Sequence, residues 1–223
     1  MRAPLEFLFP PEIGVELIYS FVIIACSFMI YYATKEVYEL SSYKGIKYFR
    51  QSFLFFAIAY FFRYFIIFFL AFFNIEVSSR LIFDGTLFIF LYFSSMAVFY
   101  LLYSVMWKKW NHSMQRIYML NILALIIALI GTLFRGVGVS LILNIILLLF
   151  VSFILFKAYK DSKDRQRRKS LFIIYPLLFI FWILNVVNIM IPKFLELYQL
   201  VIYLISILLF MIILYKVLKK IGA

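Results

Sequence analysis

Residues 117–156 read IYMLNILALIIALIGTLF, then RGVG, then VSLILNIILLLFVSFILF, and how many membrane crossings they make decides the fold. A helix needs about 20 apolar residues to cross the hydrocarbon core. This stretch is far too long for one crossing. The break Arg135-Gly136-Val137-Gly138 places two glycines where a tight turn would be needed. Two short spans, 117–134 and 139–156, are therefore expected here.

Working outward, five more apolar runs qualify. Three precede the stretch, at 13–38, 46–73 and 85–106, and two follow it, at 171–191 and 194–217. Had 117–156 been one span, the count would be six and both termini would share a side. With two spans the count is seven and the termini lie on opposite sides. The expectation is an all-α, polytopic membrane protein, a single seven-transmembrane-helix bundle over residues 1–223.

Composition points to the same solvent. The chain is 67% hydrophobic with mean hydropathy +1.06, against roughly 45–50% apolar in a soluble domain. Aromatic residues make up 22% of it. Lipid-facing aromatics in an AT-rich coding sequence account for that share more simply than an aromatic-lined pocket does. The net charge of +12 would suggest nucleic acid in a soluble protein. Here the charges fall between apolar runs, so they set orientation instead, and no nucleic-acid partner is expected. Seventeen Lys and Arg residues lie in one set of alternate loops and ends, and four lie in the other. Basic loops stay in the cytoplasm. The N-terminus is therefore expected outside and the C-terminus in the cytoplasm, at a multi-pass position in the cell membrane.

Glu6 and Glu12 precede the first run, where a secretory signal would be basic. No soluble domain is expected at either end. Cys26 is the lone cysteine and His112 the lone histidine. That excludes an intrachain disulfide and the multi-histidine metal sites of membrane hydrolases.

Ionisable groups inside spans are costly, roughly 2.5–3.5 kcal/mol near the bilayer centre, so they are the first candidates for function. Glu16, Arg63 and Asp84 lie at similar depth in the outer parts of the first three spans. Residues eleven apart share a helix face. That rule aligns Glu16 with Ser27, Arg63 with Ser52, and Asp84 with Ser95. Arg63 is expected to pair with Glu16 or Asp84. The sixth span adds Asn185 and Asn188 on one face above Trp182. The seventh adds Glu196, Gln199, Tyr203 and Ser206 along one face. Polar groups of the inner half are fewer: Thr34, Ser104, Asn121 and Ser152. The candidate ligand-binding residues are therefore Glu16, Arg63, Asp84, Asn185, Asn188 and Gln199. Helix-to-helix hydrogen bonding is the simpler role for each Ser, Thr or Asn taken singly.

Pro176 should kink the sixth helix by removing the bond to the Phe172 carbonyl. Trp107, Trp110 and Tyr118 suit interface anchors. The basic run 157–169 suits the inner surface and could meet anionic lipid or a partner protein. Arg50-Gln51-Ser52 loosely echoes Arg168-Lys169-Ser170, which hints at a repeat of three spans on either side of a linker helix.

Several seven-helix families are excluded. The last helix has no mid-span Lys for a retinal Schiff base. The Asp/Glu-Arg-Tyr and Asn-Pro-x-x-Tyr motifs of G-protein-coupled receptors, the paired Pro-Gln-type motifs of small sugar transporters and the glycine triplets of trimeric cation channels are missing. In helix count, length, orientation and the Tyr/Arg-rich inner linker 43–50, the layout resembles the seven-helix sensor region of some prokaryotic membrane histidine kinases. The resemblance runs over the whole chain without the kinase module, and it implies sensing through a separate partner. The reading is a receptor-like or sensory protein that takes a small ligand from outside into an outward-facing polar pocket. It would sit in the lipid bilayer and act on a cytoplasmic or membrane protein. The alternatives are a small transporter or channel and a structural subunit of a membrane complex. No nucleophile–base pair, metal cluster or phosphate loop is visible, so neither enzymatic activity nor a cofactor is expected.

Overall fold

The computed structural model describes residues 11–72, 80–107, 114–134, 137–163, 174–190 and 196–221. Among them the fold is all-helical. Seven helices follow one another: α1 Pro11–Ser41, α2 Lys44–Phe72, α3 Arg80–Met106, α4 Met114–Leu133, α5 Val137–Lys163, α6 Ile174–Met190 and α7 Glu196–Ile221. Long Leu-, Ile- and Phe-rich runs with few Gly or Pro inside leave the backbone no competitor to the helix.

Stretches in four of these helices are long and apolar enough to cross a membrane: Gly14–Ser41, Asp84–Met106, Gln115–Leu133 and Leu197–Lys219. Leu141–Lys157 within α5 and Ile174–Asn188 within α6 are shorter apolar stretches.

Six of the helices close a ring. α1 packs on α2, α2 on α3, α3 on α5, α5 on α6, α6 on α7, and α7 back on α1. Tyr19 of α1 meets Tyr60 of α2, while Tyr31 of α1 meets Arg50 of α2, so the two helices run antiparallel. The end where α1 begins is called the upper end below.

α4 stands outside the ring, against α3 and more lightly against α5. Its packed face is made of small residues: Ala124 and Ala128 are buried, and so is Gly131. A Cβ at Gly131 would run into the side chain of Leu91 and would lie 3.0 Å from Leu143. Small residues of this kind let helix backbones approach closely. The rest of α4, from Tyr118 and Met119 to Leu133, is largely exposed apolar surface.

One local expectation changes. Helix α5 already begins at Val137, so Gly138 is a helical residue with open space around it and is not part of the turn. Gly136 lies outside the described residues. Pro176 is the third residue of the described α6. Phe172, whose carbonyl the expected kink involves, lies outside the described residues.

The α1–α2 turn is tight. Ser42 adopts φ 49°, the left-handed geometry that ends many helices. Its N–H donates to the Tyr38 carbonyl at 2.8 Å.

The centre of the ring is aromatic. Phe56 of α2 contacts Phe181 and Trp182 of α6 and Phe210 of α7, with ring centroids 6.0–6.5 Å apart. Phe181 and Phe210 meet edge to face at 4.6 Å. Phe53, Phe181 and Phe210 are wholly buried. These rings fill the middle of the bundle. A polar cluster lies above them and a second lies below.

Candidate functional site

The upper cluster is assembled from α1, α2, α3, α6 and α7. Glu16 and Tyr19 lie one turn apart on α1. Tyr60, Arg63 and Tyr64 lie on one turn of α2, and Asn185 and Asn188 lie one turn apart on α6. Tyr203 comes from α7. The spacing of three or four residues makes each pair share a face.

Two hydrogen-bonded chains run through it. In the first, the Asn188 amide donates to the Tyr203 hydroxyl at 3.5 Å, and that hydroxyl donates to Glu16 Oε1 at 2.9 Å. In the second, the Tyr19 and Tyr60 hydroxyls lie 3.2 Å apart, and Tyr60 donates to Asn185 Oδ1 at 3.4 Å. Asn185 also donates to the Phe181 carbonyl at 2.9 Å. The rings of Tyr19 and Tyr203 lie 4.8 Å apart and tie the chains together. The short Tyr203–Glu16 bond is charge-assisted and is the strongest link. The bonds at 3.4 and 3.5 Å are long for hydrogen bonds and contribute less.

Arg63 is half-buried. Its guanidinium lies 4.6 Å from the Phe90 ring centroid and 5.1 Å from that of Tyr64. Such stacking is cation–π attraction, worth about 0.5–2 kcal/mol depending on exposure. Among the described residues Arg63 forms no ion pair, so the expected partnership with Glu16 or Asp84 gives way to ring faces. Glu16 Oε1 already accepts from Tyr203, and a flat guanidinium covers an aromatic face well. Glu16 and Arg63 still feel each other's charge, as does Tyr203.

The cluster leaves polar atoms unsatisfied. Among the described residues, Asn188 Oδ1 and Trp182 Nε1 are buried without a hydrogen-bond partner. Ser27 and Ser95 hydroxyls, at mid-height on α1 and α3, share that condition. The eleven-residue stripes do point inward, since Ser27, Ser52 and Ser95 are all fully buried. Ser52 donates back to its own helix, at the Phe49 carbonyl.

The structure thus brings Glu16, Asn185 and Asn188 into one network and sets Arg63 beside it. Asp84 is half-buried in the second turn of α3 and is engaged in an interaction of its own. Gln199 is half-buried one turn above Tyr203 and makes no hydrogen bond among the described residues. The side chain of Glu196 lies outside the described residues. Sequence reasoning passed over Tyr19, Tyr60 and Tyr64, which link the network. The signal available was position, since each stands within a turn of Glu16 or Arg63.

The lower cluster is also tyrosine-rich. Arg50 donates to the Tyr31 carbonyl at 3.1 Å and covers the Tyr31 ring at 4.3 Å. Tyr48 packs against Tyr103 at 4.4 Å, and Tyr43 against Trp107 at 4.9 Å. The Ser104 and Tyr175 hydroxyls lie 3.5 Å apart. Thr34 and Ser152 bond their own helix backbones. Asn121 joins α4 to α3 by accepting from Tyr92 at 3.0 Å. Here Thr34, Arg50, Asn121 and Ser152 bond helix backbones or a neighbouring side chain and so hold the helices. No group of three or more metal-ligating side chains occurs among the described residues.

Over 223 residues the chain is 34% identical to an uncharacterized protein of Archaeoglobus fulgidus, an alignment that covers 97% of this chain and 95% of that protein. No protein-family model matches the sequence. No solved structure matches it either.

Proposed function

We propose, from the premise that this chain belongs to the same family as the Archaeoglobus fulgidus protein, that it is a receptor-like seven-helix membrane protein. In this reading it spans the bilayer seven times, with the upper end outside and the C-terminus in the cytoplasm, and binds a small polar ligand at the upper cluster. The membrane reading rests on large apolar side chains exposed all round the helices. Phe21 is 71% exposed, Leu208 61% and Leu149 64%. Water would drive such a surface together, whereas lipid solvates it. The orientation rests on the lopsided Lys and Arg count.

The observation that carries ligand binding is Asn188 Oδ1. A buried acceptor without a donor costs about 1–3 kcal/mol. Here it stands beside a carboxylate and within a turn or two of the unpartnered Trp182 N–H. A ligand that supplies the donor would be bound and, through the aromatic centre formed by Phe56, Phe181 and Phe210, would change the packing of α6 against α2 and α7.

The test is thermal unfolding of the purified protein in lipid nanodiscs against a panel of small polar solutes. A ligand raises the midpoint by mass action. The reading requires at least one solute whose effect is lost in both Glu16→Gln and Asn188→Leu. If every stabilising solute still acts on both variants, the upper cluster is structural glue.

A second reading, transport of a small solute, is favoured by one observation. With α4 outside, the ring divides into α1–α3 and α5–α7, the layout expected of two three-helix halves. Transport also needs a polar route past the phenylalanines at the centre, and the residues there are apolar. Flux of the bound solute into proteoliposomes separates the readings. Accumulation that follows binding supports transport, and binding without accumulation supports sensing.

A further inference from the structure

We propose that the ligand of the upper cluster is a small zwitterion, with an ammonium group and a carboxylate on one compact molecule. The proposal rests on the reading of this cluster as a ligand site and narrows it to a chemical class.

The argument begins with what each open group requires. Glu16 and Asn188 bond the same Tyr203 hydroxyl, so the carboxylate and the amide lie side by side. Among the described residues Glu16 receives that one donor and Asn188 Oδ1 receives none. Both ask for N–H donors. An ammonium group carries three donors and no acceptor, which suits two adjacent oxygens.

Arg63 asks for the opposite. Its guanidinium carbon lies over the Tyr64 and Phe90 rings, and no carboxylate among the described residues meets its N–H edge. That edge matches a carboxylate in bidentate fashion. Trp182 is 6% exposed and adds another N–H without an acceptor.

Charge balance then selects among ligands. Glu16 and Arg63 together carry no net charge. A simple cation would gain Glu16 but suffer Arg63, and a simple anion would do the reverse. A ligand with both charges satisfies both groups, and unbalanced charge at a partly dry site is costly. Like-charge juxtaposition is also how sites reject wrong partners.

The experiment uses the full chain in nanodiscs and reads both unfolding midpoint and affinity. The zwitterionic probes are the proteinogenic amino acids and glycine betaine. Methyl esters of the amino acids supply the cation alone, and their N-acetyl derivatives the anion alone. Neutral sugars, alcohols and nucleosides form the last arm. The expected result is a zwitterion that binds at millimolar concentration or better, about tenfold or more tighter than its ester and its acetyl derivative. Its affinity should fall about tenfold or more in Glu16→Gln and in Arg63→Met. Asn188→Leu, which keeps both charges and removes an unpaired acceptor, guards against loss of fold in the charge variants and should also weaken binding. If an ester, an acetyl derivative or a neutral solute binds as tightly and depends on Glu16 and Asn188, the zwitterion class is wrong and the ligand site stands. If no probe shifts the midpoint, both the class and the site are wrong.

Discussion

At the scale of single residues, hydrogen-bond length sets which substitutions matter. Tyr203 gives the shortest bond between side chains of the upper network, to a carboxylate, and also accepts from Asn188. Tyr203→Phe should therefore cost about 1–2 kcal/mol, as expected for a charge-assisted bond partly offset by competition within the membrane. Tyr60→Phe removes only long contacts, at 3.2 and 3.4 Å, and should cost less than about 0.5 kcal/mol. Denaturant unfolding in mixed micelles measures both. Equal losses would show that bond length does not rank these links. Asn188→Leu is expected to leave stability unchanged or raised, because it removes an unpaired buried acceptor. A loss above about 1 kcal/mol would mean the amide is satisfied in the membrane and has a holding role. Glu16, Arg63, Asn185 and Asn188 were legible as one-dimensional oddities, polar groups in apolar runs. Tyr19, Tyr60 and Tyr64 were not, because tyrosine is common throughout this chain and nothing marks those three until other helices meet them.

At the scale of elements, glycine shows how position outweighs propensity. Gly131 lets α4 approach α3, and a Cβ there would collide with Leu91. Gly131→Ala should destabilise by about 1–3 kcal/mol through overpacking. Gly138, Gly14 and Gly85 have open space around them, and each is helical. Gly138→Ala should be neutral or stabilising by up to about 1 kcal/mol, from reduced unfolded-chain freedom. Thermal midpoints of the two variants should move in opposite directions. Ser42, held at φ 49°, makes a third case. Ser42→Gly should relieve left-handed strain of about 1 kcal/mol, less the entropy that glycine loses on ordering. The seven helices themselves were readable from hydropathy, with ends shifted by a few residues. The longest disagreement is at the end of α5. That helix continues to Lys163, beyond the expected 156, because a helix does not stop where its side chains become polar.

At the scale of the whole molecule, the proposed orientation can be checked by labelling. Cys26 is the single cysteine and is buried. In a Cys26→Ala background, Tyr198→Cys tests the upper end and Leu40→Cys the lower, both positions being exposed. A membrane-impermeant thiol reagent should label the first in intact cells and the second only after lysis. The reverse pattern would invert the topology. Labelling of both in intact cells would mean that the two ends do not lie on opposite sides of the membrane.

Composition, hydropathy and loop charge are sums along the chain, so the sequence alone could establish an all-helical, apolar protein with seven helix-forming runs. It could also show that polarity gathers toward one end of the first three runs. Ring closure depends on which faces meet, and no helix records its partner. The place of α4 outside the ring, the aromatic centre of Phe56, Phe181 and Phe210, and the sharing of one Tyr203 hydroxyl by Glu16 and Asn188 were decided by tertiary structure. Each joins residues more than a hundred positions apart or leaves a whole helix aside, and packing alone determines which of the many apolar faces turn inward.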